Sequence, residues 1–195
     1  MFDKFSQQLT LLMLADIHEK LEIQHSVDPA FVREMVVSGE LWAVAEAYPQ
    51  YFRSSEVEAP DCLGFVRDTL CMWHDVEVAY DELSERQKYE VSQQLGMTRV
   101  EDPGWFAGFS KKHDPAEHRV QHVLMNILGV VPNFGGRSLD PYSSWVPQYR
   151  EMLNVYGDME IDHRLSIEQL VTLFRAWRGP ELVGVPYPDV KAVIF

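Results

Sequence analysis

The stretch Asp61–Leu83 reads DCLGFVRDTLCMWHDVEVAYDEL, and its spacing decides the fold class. Cys62, Val66, Thr69, Trp73, Val76, Tyr80 and Leu83 fall at alternating intervals of four and three residues. That is a heptad seam, which holds one side of a helix against a partner over several turns. Phe65, Met72 and Ala79 widen the apolar face, and Pro60 marks the boundary before it. A face this wide suits the core of a globular domain, and part of it could instead meet another subunit.

Helices continue on both sides. Ser6 is a plausible cap for a helix to about Gln24, in which Phe5, Leu9, Met13, Ile17 and Leu21 recur every four residues. Such a ridge is expected to be buried. Asp28-Pro29 opens a second helix with a capping Asp and with Pro at the first helical position. Ser38-Gly39 interrupts it, and a short helix over Glu40–Tyr48 ends before Pro49. Capping boxes are expected at Ser84–Gln87, Asp114–Glu117 and Ser166–Gln169. They open helices to about Leu95, Leu128 and Trp177. Met97–Lys112 reads as irregular and aromatic, and Gly129–Ser144 as a long ordered loop. Trp145–Tyr156 is a further helix. The expectation is an all-α, multihelical single domain of about seven or eight helices over 1–178, followed by an extended apolar tail, 179–195. The tail ends Ala192-Val193-Ile194-Phe195, too apolar to float free, and is expected to dock on the domain or on a neighbouring subunit.

Composition narrows the function. The chain has 195 residues, with 17 basic and 30 acidic side chains, a net charge of −13. That field repels phosphate backbones and anionic lipid, which argues against nucleic-acid and membrane partners. The longest basic run is Lys111-Lys112. Arg99, Lys111, Lys112, Arg119 and Arg137, interleaved with Trp105, Phe106 and Phe109, could still build a surface for single-stranded RNA. Cys62 and Cys71 lie nine residues apart on one helix. The rise between them is roughly 13 Å, too far for a disulfide. Thiols of that kind suit a reducing cytoplasm. The run Leu9–Ala15 lacks the basic flank of a signal peptide, and nothing approaches the roughly 20 apolar residues of a membrane span.

Candidate chemistry is sparse. His74, Glu77 and Asp81 share one side of the seam helix, with Glu77 placed to bridge the other two. A carboxylate-oriented histidine is how a general base is built, and also how a structural histidine is satisfied. His118 and His122 have the spacing of a metal pair. Arg119 stands where a zinc protease needs Glu, so the pair is a weak metal candidate. Asn133-Phe134-Gly135-Gly136-Arg137 lacks the Lys-Ser/Thr ending of a phosphate loop and reads as a turn. No cofactor is expected. Trp73, Tyr80, Trp145, Tyr149, Tyr156 and Trp177 are candidate anchors of a core or an interface.

Several blocks resemble the YfbU-like family, bacterial proteins without an assigned activity. They are Ser6–Leu14; Leu70-Cys71-Met72-Trp73-His74 continuing through Val78, Tyr80 and Leu83; Arg99-Val100, Phe106–Phe109 and Glu117; Trp145–Tyr156; and Leu165-Ser166. The resemblance implies an all-helical, cytoplasmic, oligomeric bacterial or phage protein and carries over no catalytic residue. The connection from Arg99 to Phe106 is longer than the family pattern, and the tail after Gly179 is an addition to it. The reading that follows is a homo-oligomeric interaction, assembly or regulatory protein, with a protein partner also open. The alternative is a hydrolase or ribonuclease using the His/carboxylate cluster or a bound metal. A toxin-like factor acting on a host protein is a third reading.

Overall fold

The computed structural model describes residues 4–24, 26–52, 57–97 and 104–178. Among them are eight α-helices and no strand: α1 Lys4–Lys20, α2 Pro29–Ser38, α3 Trp42–Ala47, α4 Leu63–Asp81, α5 Glu85–Gln94, α6 Pro115–His122, α7 Val146–Gly157 and α8 Ile167–Arg178. The all-α expectation holds. The expected tail, 179–195, lies outside the described residues, as does Arg99. The chain forms two compact units, residues 1–61 and 62–195.

In the larger unit α4 packs against α6, α7 and α8, and α5 and α7 both lie on α8. The heptad seam is the reason. Val66, Thr69, Trp73, Val76 and Tyr80 are all buried, with Met72 and Ala79 beside them. Thr69 satisfies its hydroxyl on the Phe65 carbonyl at 2.7 Å, one turn back. Around Trp73 the rings meet largely edge to face, the arrangement their quadrupoles favour. Its centroid lies 5.2 Å from Trp177 and 6.2 Å from Tyr149, at 84° and 81°. Phe106 stacks on Phe134 at 5.2 Å, and Phe109 stands edge-on to Tyr149 at 5.3 Å. The stretch 104–110 has no regular structure, yet Phe106, Phe109 and Ser110 are buried.

Side-chain amides and carboxylates hold that stretch in place. Gln121 accepts the Phe109 N–H at 2.8 Å and donates to the Leu139 carbonyl at 3.2 Å. Asp114 corrects an expectation, because its carboxylate caps no helix. It accepts from the Ser110 N–H at 3.2 Å and the Ser144 hydroxyl at 2.6 Å, so two loops claim the oxygens a cap would have used. The boxes at Ser84 and Ser166 form as expected. After His122 the helix widens into a π turn, Val123–Ile127, before Leu128 closes on the Val123 carbonyl at 2.9 Å.

In the smaller unit α1 packs along α2, and α2 meets α3. Asp28 caps α2 through its Oδ1, 2.9 Å from the Ala30 N–H, and left-handed Gly39 ends the helix. Helix α3 starts at Trp42, later than expected, and the Trp42 indole N–H donates to the Glu40 carboxylate just before it. Helix α1 departs from expectation twice. It begins before Ser6, whose carbonyl accepts the Thr10 hydroxyl at 2.8 Å, and it ends at Lys20, because Glu22 turns left-handed at φ 50°. Its apolar ridge is also exposed. Phe5 is 71% exposed, Leu9 46%, Met13 57%, Ile17 52% and Leu21 65%. The side of α1 that is covered is another one, with Ala15 buried and Leu11 and Leu12 half-buried.

Gly108 carries a specific constraint. Its φ is +87°, and a Cβ there would lie 2.6 Å from both the Leu139 Cβ and the Leu139 carbonyl oxygen. Gly108→Ala is therefore expected to cost about 2–4 kcal/mol, combining left-handed strain with overpacking. Urea denaturation of the variant checks this, and a loss below about 0.5 kcal/mol, the scale of an ordinary surface change, would contradict it.

Candidate functional site

His74, Glu77 and Asp81 lie along the last two turns of α4, and the geometry of the helix divides the expected cluster. Glu77 sits one turn beyond Trp73, on the buried side, and is 2% exposed. A carboxylate so far from water needs a counter-charge and donors. Arg137 supplies the charge, with Nη1 donating to Oε1 at 3.1 Å and Nη2 standing 2.8 Å from Oε2. The second contact is an ion pair without hydrogen-bond alignment, since Oε2 gains no hydrogen bond of its own. The Phe106 N–H donates to Oε1 at 2.9 Å. Arg137 in turn lies over the rings of Phe134, at 4.8 Å, and Trp105, at 5.9 Å.

Glu77 therefore does not bridge His74 and Asp81. His74, half-buried, has Nδ1 2.7 Å from Asn133 Oδ1, and Asp81 stands exposed at the end of α4. The three share a helix but no site. Helical rotation explains the split, because Glu77 follows the buried seam while His74 lies beside it. Asn133-Phe134-Gly135-Gly136-Arg137 is a turn around a short 3-10 segment. Its members hold α4 from outside, Asn133 through His74 and Arg137 through Glu77.

The other candidates fall into place by burial. Trp73, Tyr80, Tyr149 and Trp177 are buried in the ring cluster, so they are core residues and not an outer interface. The Tyr149 hydroxyl donates to the Gly108 carbonyl at 3.1 Å. Trp145 and Tyr156 are half-buried, Trp145 against Trp177. Phe106 and Phe109 are buried as well and cannot stack on bases, while Trp105 is occupied by Arg137. Among the described residues, these rings therefore present no stacking surface for single-stranded RNA. His122 shares a 3.0 Å contact with Asn126 and is exposed, and His118 is half-buried. Among the described residues no group of three His, Cys, Asp or Glu side chains could hold a metal ion. No helix among them is long and apolar enough to cross a membrane.

Three residues link α4 to α7. The Tyr156 hydroxyl donates to Asp75, and Cys71 lies near the same carboxylate. Burial, then the Asp75 hydrogen bond and charge, push the Tyr156 phenol well above its usual range. Burial first, then Asp75 and Asp68, push the Cys71 thiol up. A thiol so held is a poor nucleophile at neutral pH. Cys62 and Cys71 form no disulfide.

The smaller unit has an open hollow of about 440 Å³ lined in part by His18, Glu19, Glu22, Asp28 and Tyr48. Its carboxylates are largely committed. Asp28 caps α2 and Glu19 pairs with Arg33 at 2.7 Å. It presents no convergent reactive set.

No protein-family model, no curated protein and no solved structure matches the chain. The blocks that resemble the YfbU-like family thus stand without a matching family model. The contacts of Arg137 with Glu77 and of Asn133 with His74 are not evident from local sequence. The available signal was Glu77 itself, a carboxylate four residues after Trp73 on a buried seam, which requires a cation from elsewhere in the chain.

Two outcomes follow. Glu77→Ala is expected to destabilise the protein by about 3 kcal/mol, and adding Arg137→Ala should cost little more, because the two act as a pair. Additive losses in denaturant melts would contradict the pairing. A phenol raised in the folded state stabilises fully below the unfolded tyrosine value, about pH 10, and that stability is lost as pH rises through the folded value. Tyr156→Phe should accordingly cost about 1 kcal/mol at neutral pH and flatten the alkaline fall in melting temperature. An unchanged alkaline limb would contradict it.

Proposed function

We propose that the chain is an oligomeric interaction and assembly protein whose contact surface is the outer ridge of α1. A single observation carries the reading. In the large unit Trp73, Phe106, Phe109, Phe134, Tyr149, Phe174 and Trp177 are buried, while the small unit leaves Phe5, Leu9, Met13 and Ile17 exposed along α1, with Leu21 just past its end. A helix that is apolar on its outer side as well as its packed side is built to be covered twice. Contiguous apolar ridges on soluble proteins mark contact sites. The anchors move accordingly, from the rings of α4, α7 and α8 to the aliphatic ridge of α1. A cytoplasmic setting belongs to the reading, supported by two cysteines that form no disulfide. A regulatory role would act through the same surface. The hydrolase or ribonuclease alternative loses its best pair, since Glu77 is committed to Arg137.

Light scattering of the full chain over a dilution series tests this, with Met13→Arg alongside. The wild type should show a mass above the 22.6 kDa chain that falls on dilution, and the variant should stay at chain mass with unchanged helicity. A wild type at chain mass throughout, with Met13→Arg lowering the melting temperature, would mean the ridge is covered by its own chain and would overturn the proposal.

A further inference from the structure

We draw no further inference here: the strongest candidate, the exposed acidic cluster of Asp158, Glu160 and Asp162 in the loop between α7 and α8, carries nothing, because among the described residues no three such side chains converge to hold a metal ion and no second observation points to a ligand there.

Discussion

The larger unit depends on one buried charge. Glu77 lies on the seam of α4, beside Trp73, where a carboxylate is sustainable only with Arg137 and the Phe106 N–H in place. Satisfying it draws two irregular segments onto the same helix. The stretch 104–110 then brings Phe106 and Phe109 into the ring cluster, and the turn at 132–137 brings Phe134 and the cation. Gln121 and Asp114 complete the arrangement by tying those segments to Leu139 and Ser144. Loops that would otherwise lie over the core become part of it.

This arrangement decides which surfaces remain. Four of the six rings that could have formed an interface, Trp73, Tyr80, Tyr149 and Trp177, are buried inside the unit, and the carboxylate that could have served a histidine is paired with Arg137. Residues 1–61 are built on a different balance. Helix α1 packs along α2, yet its longest apolar ridge is exposed among the described residues. Hydrophobic burial supplies roughly 25 cal/mol per Å² removed from water, so a ridge left in water forgoes stabilisation that a second copy can supply.

Much of the helical content was legible in the sequence. The seam of α4, the Asp28-Pro29 start and the boxes at Ser84 and Ser166 are local signals, set by hydrogen bonds within a turn or two. What could not be read depends on groups distant in the chain. Asp114 has the sequence of a cap, but Ser110 and Ser144 take its oxygens. Glu77 has the spacing to serve His74, but Arg137, sixty residues on, holds it. The ridge of α1 has the periodicity of a buried face, and periodicity reports that a face is apolar without saying which molecule covers it. The candidate site was legible as a set of residues and not as an arrangement.

Hydrogen exchange at the amides of Lys4–Lys20, followed as protein concentration rises, tests the central claim most directly. A covered α1 should gain protection with concentration, since association suppresses local opening. The amides of α4, deep in the larger unit, should not change. Protection of α1 that is independent of concentration, or a change in α4 instead, would contradict the account.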